Sequence, residues 1–177
     1  MKLEKAIFAA GCFWGVQYQF QRVPGVLKTT VGYTGGPEEN PQYPEVKAHK
    51  TQHVEAIEVE YDAEVVSYED LCKVFFEIHD PAQTDGVGPD IGPHYRSEIF
   101  YLDEEQKQIA EAVIELLRSK GHEVNTILRP AERFWVGEEY HQDYYNKTGD
   151  EPYCHIRVKK FYTKKVGTCP LFLFRIS

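Results

Sequence analysis

Cys12 stands in Gly11-Cys12-Phe13-Trp14-Gly15, and that setting makes it the first candidate for chemistry in this chain of 177 residues. The run Ala6-Ile7-Phe8-Ala9-Ala10 before it reads as a short buried strand. After it, Val16, Phe20 and Val23 fall near helical spacing. A thiol between a strand end and a helix start meets unpaired backbone N–H groups and the positive end of the helix dipole. Such a setting lowers a thiol pKa, and the thiolate is the nucleophile. Two glycines let backbone approach a ligand closely, and two aromatics supply apolar contact. The competing reading is a small buried hydrophobe, the usual fate of a free cysteine.

Glu55 is the second candidate. Residues 53–62 alternate: Ile57, Val59 and Tyr61 share one parity, Glu58, Glu60 and Asp62 the other. Glu55 has the parity of the apolar set, so this strand aims one carboxyl at its inner face. Lost hydration there raises a carboxyl pKa and lets it act as an acid near neutrality. The alternative is an inward edge residue paired with a nearby Lys or Arg. Tyr43 and Tyr95 lie in two Gly/Pro-rich loops and can present phenolic donors. Asp90 shares the second loop, in Gly88-Pro89-Asp90-Ile91-Gly92. Loops carry function, but turn and surface roles account for such residues too. Arg96 and Ser97 read as structural ties.

His49 and His53 are four apart, a zinc-binding interval on a helix. Here they lie in a polar loop leading into a strand, with no cysteine or acid to complete a tetrahedral set, so no metal is expected. His141 and His155 read as surface or structural residues. The four cysteines, Cys12, Cys72, Cys154 and Cys169, form no CxxC pair and no compact framework. In a reducing compartment they are reactive or buried rather than structural disulfides. Cys72 falls inside a helix and reads as packed.

These residues need elements to hold them. Residues 26–33 suit a strand and 34–52 a long loop, a length that points to function or disorder. Ser67 with Asp70 three residues on is a capping signature. It opens a helix with Leu71, Val74, Phe75 and Ile78 in one stripe, ended by His79-Asp80-Pro81. Residues 81–95 form a second loop and Ser97 to Tyr101 a strand. Asp103 with Gln106 opens another helix, with Ile109, Val113, Leu116 and Leu117 inward and Gly121 as its stop. Asn125 to Leu128 reads as a short strand and Glu138 to Tyr145 as a short aromatic helix. The order predicts an α+β fold: one catalytic domain over residues 1–177, with a mixed central sheet, flanking helices and a long irregular C-terminal segment.

Composition sets the outer limits. Hydrophobic content of 42% and charged content of 27% are those of a globular protein with a sizeable core. The net charge of −8 argues against a general nucleic-acid binder. Residues 150–177 carry six basic and two acidic residues, +4, leaving −12 on the rest. That basic, weakly structured tail is expected to lie on the acidic body. No run is long enough to span a membrane, and the five apolar residues before Cys12 are too few for a secretion signal. The expected location is cytoplasmic.

Several further pieces line up with the thiol motif. They are Gly32-Tyr33-Thr34-Gly35-Gly36, Asn40-Pro41-x-Tyr43, His53-x-Glu55-Ala56, His79-Asp80-Pro81, Asp90-Ile91-Gly92-x-x-Tyr95-Arg96-Ser97 and Glu139-Tyr140-His141-Gln142. Together, in order from residue 6 to about 157, they closely resemble peptide methionine sulfoxide reductases of the A type. The resemblance implies reduction of the S epimer of methionine sulfoxide, free or in proteins, with no cofactor and a thioredoxin-type reductant. It implies that Cys12 attacks the sulfoxide sulfur, Glu55 protonates the oxygen, and Phe13 and Trp14 hold the substrate methyl. Tyr43 and Tyr95 would donate hydrogen bonds to that oxygen, with Asp90 in support. A sulfenic acid on Cys12 would then condense with a second thiol. Cys154, in Pro152-Tyr153-Cys154-His155, resembles one family placement of that thiol. Cys169 is the alternative, or a relay after Cys154. Where family members often carry Cys or Ser after the Tyr43 loop, this chain has Lys47. Two other classes compete: a papain-like hydrolase recruiting His141 or His155, and a non-catalytic redox sensor.

Overall fold

The computed structural model describes residues 1–161 of the chain. Cys169, the alternative second thiol, lies outside the described residues. A six-stranded mixed sheet forms the centre. In spatial order it runs β7 (Ile127–Pro130), β6 (Ser97–Tyr101), β1 (Leu3–Ala10), β3 (Val54–Asp62), β2 (Val26–Thr34) and β8 (Trp135–Val136). All neighbours are antiparallel except β6 and β7. The α+β expectation holds.

Three helices cover one face: α1 (Phe13–Phe20), α3 (Tyr68–Glu77) and α4 (Glu104–Ser119). The alternation of β1 and β3 turns Ala6, Phe8, Ala10, Ile57, Val59 and Tyr61 toward them. Phe8 stacks on Phe20 of α1 and Phe75 of α3, both at 5.2 Å between ring centres. Each such fully buried ring contributes about 1.5–3 kcal/mol. These contacts fix the tilt of α1 and so the place where the chain leaves β1 at Cys12. The opposite face buries Ile7, Ala9, Val54, Ala56 and Phe100 under Ala131 and Phe134.

The caps form as expected. Ser67 Oγ accepts the Asp70 N–H at 3.0 Å, and the Asp103 carboxylate accepts the Gln106 N–H at 2.8 Å. The inward stripe of α4 differs from the expected one. It consists of Ala110, Val113, Ile114 and Leu117, while Leu116 is 36% exposed. Leu116 sits a helical step away from the i, i+3, i+4, i+7 row that meets the sheet.

Both long loops carry structure that sequence periodicity did not show. Residues 34–52 contain α2 (Tyr43–Lys47), opened by Gln42 and Glu45, whose carboxylate accepts the Gln42 N–H. Residues 81–95 contain a hairpin of β4 (Gly86–Val87) and β5 (Asp90–Ile91), then a 3-10 turn at Pro93–Tyr95. The single helix expected over 138–145 is broken into a 3-10 turn at Glu139–His141 and α5 (Tyr144–Thr148). Asp143 divides them in a left-handed conformation, φ +53°, which Asp tolerates better than most residues. Its N–H is taken up by Gln17 Oε1 on α1 at 2.8 Å.

Residues 150–161 form no helix or strand, yet they are tied down. Arg157 donates twice to buried Glu77 Oε1, at 3.2 and 3.0 Å, and the Lys160 N–H donates to Oε2 at 2.9 Å. Lys160 Nζ also caps the end of α3 through the Phe76 and His79 carbonyls. Positive charge at a helix C-terminus is favourable there. No helix among the described residues is long and apolar enough to cross a membrane.

Candidate active site

Cys12 is the residue before α1, and Gly11 makes the corner possible. Gly11 has φ +85°, and a Cβ on it would stand 2.6 Å from Val87 Cβ. The hairpin of β4 and β5 therefore lies directly over this turn and carries Asp90 to the thiol. The C-terminal segment brings Cys154 from the other side. Cys12 Sγ, Cys154 Sγ and an Asp90 carboxylate oxygen all lie within 4.8 Å of one another. Both cysteines are free thiols.

This arrangement reverses the expected pKa direction of Cys12. Its hydrogen bond with Cys154 is the largest cause, followed by burial, and both push the thiol well above its ordinary value. The closeness of the Cys154 sulfur and of the Asp90 carboxylate acts the same way. The Trp14 backbone N–H at the helix start favours the thiolate, as expected, but one backbone donor does not outweigh a neighbouring thiol and lost hydration. In this arrangement Cys12 keeps its proton.

Glu55, at the start of β3, is 2% exposed. Its Oε1 accepts the Phe13 N–H at 3.2 Å, which places the carboxyl one residue from the thiol. Oε2 is buried and has no partner. Desolvation holds the carboxyl well above the usual range, with the Cys12 charge adding to it and the Phe13 bond opposing it. Burial therefore favours the protonated carboxyl, the form that has a proton to give.

Tyr43 opens α2, its N–H bonded to Glu138 Oε2 at 3.2 Å. Tyr95 ends the 3-10 turn after β5. Burial is the chief reason both phenols are raised, Tyr43 to about 12 and Tyr95 higher, with Glu55 next and Cys12 after it. Both stay protonated, and Glu55 and Cys12 are close enough to act on both. Lys47 Nζ lies 5.8 Å from the centre of the Tyr43 ring. Trp14 is half-exposed, stacked on Tyr144 at 3.7 Å. Phe13 is 1% exposed, packed between Tyr33 and His141, so it backs the site while Trp14 offers the open wall. Asp90 Oδ1 accepts the Tyr153 hydroxyl at 3.2 Å, and its Oδ2 is buried without a partner.

Several residues at the site were read differently or given no role in the sequence. His141, expected at the surface or in a structural role, is fully buried. Its Nδ1 accepts the Trp14 Nε1–H at 3.0 Å, and its ring lies 4.4 Å from that of Tyr43. Glu138 accepts from the Tyr33 hydroxyl, the Tyr43 N–H and the Tyr140 hydroxyl. His155 is buried beside Cys154. The spacing Glu138-x-x-His141 was the available signal, but nothing local marks either residue as inward.

Cys12, Asp90 and Cys154 are, among the described residues, the group of three compact enough to hold a metal. Binding there needs both thiols deprotonated, against the direction of Cys12. His53 is committed elsewhere, to the Gly36 N–H and the Glu38 carbonyl, and the His49 ring packs on His94.

A thiol at a strand-to-helix turn, with a second thiol beside it and a desolvated carboxyl next to it, defines a thiol-dependent oxidoreductase. The family model described as "Peptide methionine sulfoxide reductase" matches residues 4–168. The chain belongs to that family and is a methionine sulfoxide reductase. It is 46% identical over 152 residues to peptide methionine sulfoxide reductase MsrA of Nautilia profundicola, covering 86% of this chain and 88% of that one. It is 44% identical over 164 residues to the MsrA of Sulfolobus acidocaldarius, covering 90% and 93%. Among solved structures, reduced Mxr1 from Saccharomyces cerevisiae aligns with a TM-score of 0.83 at 30% identity, covering 88% of this chain and 92% of that one. Methionine sulfoxide reductase A of Corynebacterium diphtheriae aligns with a TM-score of 0.76 at 33% identity, covering 86% and 77%.

Proposed function

We propose that the chain reduces the S epimer of peptide methionine sulfoxide through Cys12, with Glu55 as the acid and Cys154 as the resolving thiol. The observation that carries this reading is the buried, unpartnered Glu55 Oε2 beside a thiol that touches a second thiol. Sulfoxide oxygen is a poor leaving group unless protonated. Cys12 sulfur attacks the sulfoxide sulfur while Glu55 gives its proton to the oxygen, with Tyr43 and Tyr95 donating hydrogen bonds to it. The oxygen passes to Cys12 as the Cys12 proton returns to Glu55. The sulfoxide sulfur gains two electrons and Cys12 loses two, leaving a thioether and a sulfenic acid. Asp90 holds the thiol pair close, and Trp14 and Phe13 form the apolar side that takes the methyl.

Cys154 must leave Cys12 to admit substrate and return to form the disulfide. On its far side it borders a groove of about 510 Å³ shared with Val87, Gly88, Tyr153, Ile156 and Val158. A thioredoxin-type dithiol reaches the disulfide from that groove; Mxr1 has been solved in complex with Trx2. The test is intact mass and peptide mapping after one equivalent of a methyl sulfoxide. A Cys12–Cys154 disulfide with methionine released supports the reading. A Cys12–Cys169 disulfide, or cycling by Cys154→Ser with a thioredoxin, assigns resolution elsewhere. Acyl-substrate turnover would favour the hydrolase reading, and disulfide formation with peroxide alone would favour the sensor.

A further inference from the structure

One side chain against Cys154 has no part in the steps above. His155 Nε2 lies 2.6 Å from the Ala10 carbonyl oxygen, which can only accept, so that nitrogen carries the ring proton. Nδ1 is then a bare lone pair, and it lies 3.0 Å from Cys154 Sγ. The bond between them runs from the thiol to the ring. The seat of the ring is built for it. A Cβ at Gly15 would stand 2.1 Å from Nδ1, so a larger residue there evicts the imidazole. Gln19 of α1 also donates to the His155 carbonyl at 2.8 Å. Ala10, Gly15 and Gln19 all belong to the strand and helix that present Cys12. The ring is thus fixed in the frame of the nucleophile, with its lone pair on the other thiol.

We propose that His155 is the general base that takes the Cys154 thiol proton when Cys154 attacks the Cys12 sulfenic acid. The inference rests on Cys154 being the resolving thiol. The S–H bond of Cys154 breaks toward Nδ1, and an S–S bond forms as the S–O bond of Cys12 breaks. The departing hydroxide takes the proton from Nδ1 and leaves as water. The Cys154 sulfur is oxidised, the Cys12 sulfur is reduced by the same amount, and the ring ends neutral. Burial holds His155 below the usual histidine range, so its lone pair is free near pH 7. The titratable groups around it are Cys154 beside it, Cys12 at the start of α1, Asp90 on β5 and His79 after α3.

The test uses His155→Gln, which keeps an N–H for Ala10 and has no base. Reduced full-length enzyme is mixed with one equivalent of a methyl sulfoxide and quenched at intervals for released thioether and for disulfide. Relative to thioether release, disulfide formation should slow about 10²-fold near pH 7. It should then climb with pH as hydroxide from solvent takes over as the base, whereas the parent stays level across neutral pH. His155→Asn, which keeps an acceptor near Nδ1 but loses the reach to Ala10, should be slowed likewise. A parent-like rate ratio and pH profile in either variant overturns the proposal, as does an equal fall of both steps. Cys154→Ser separates the two readings. If it accumulates sulfenic acid while His155→Gln matches the parent, only the histidine assignment falls. If it cycles normally, the Cys154 assignment itself is gone.

Discussion

Glu55→Gln removes one proton and little else. The amide has the shape of the acid and still offers an oxygen to the Phe13 N–H, now bonded at 3.2 Å. What disappears is the transferable proton at the unpartnered Oε2, because an amide there can still donate a hydrogen bond but cannot give its proton away. A positioned general acid is worth about 10²–10⁴ in rate, or about 3–5.5 kcal/mol of barrier. Thioether release in a single turnover should fall by that factor near neutral pH. The gap should widen as pH rises from acid toward neutrality, because hydronium can replace the acid only at low pH. It should close again above the folded pKa of Glu55, where the parent loses the proton too. Stability gives an independent check. The folded pKa is raised, so the folded state keeps a proton above the unfolded value of about 4.3. The stabilisation tied to that proton is full below the unfolded pKa and is lost as pH rises through the folded one, at about 1.4 kcal/mol per pH unit. Glu55→Gln lacks that slope, so urea midpoints of the two proteins should diverge in its favour as pH increases. Release within about threefold of the parent, less than about 0.7 kcal/mol, with parallel stability profiles would refute the neutral-acid argument.

Cys12→Ser should abolish thioether release altogether, read by chromatography of the product. Gly15→Ala should gain up to about 1 kcal/mol in helix propensity and lose more by expelling His155, whose Nδ1 would lie 2.1 Å from the new Cβ. The expected result is a lower melting temperature and slow disulfide formation; an unchanged melting curve would contradict the packing. Glu77→Gln removes the charge that holds Arg157 and Lys160. Because Arg157 is partly open to solvent, the loss should be about 1–3 kcal/mol, measured by chemical denaturation, with faster proteolysis after residue 150. Ser67→Ala should cost about 1 kcal/mol through the lost cap on α3, with rates of both chemical steps unchanged.

The strands that position the site were legible because their signals are local. Glu55 follows the parity of Ile57 and Val59, and a period of two leaves no other face for it. Ser67 and Asp103 announce their helices by side-chain oxygens that the first turn needs. The five residues of α2 and the two of β8 are too short to show a period, and the tertiary contacts of Tyr33 and Val46 decide them. Asp143 breaks a helical pattern because Gln17, far away in sequence, accepts its N–H. The direction of the Cys12 pKa was misread for the same reason. The helix start is visible in the sequence, but the thiol that overrides it arrives from 142 residues further along.

The clasp on Glu77 has a kinetic meaning. The chain is held at α5 on one side of Cys154 and at His155 and Arg157 on the other, so a thiol that leaves Cys12 cannot diffuse far. A short loop pinned at both ends gives its middle a high effective concentration at the oxidised sulfur. Under the proposed mechanism, small-molecule thiols and peroxide in bulk would compete with Cys154, a tethered partner, for the Cys12 sulfur. A Cys12 sulfenic acid resolved by Cys154 as proposed would be spared the irreversible steps of further oxidation.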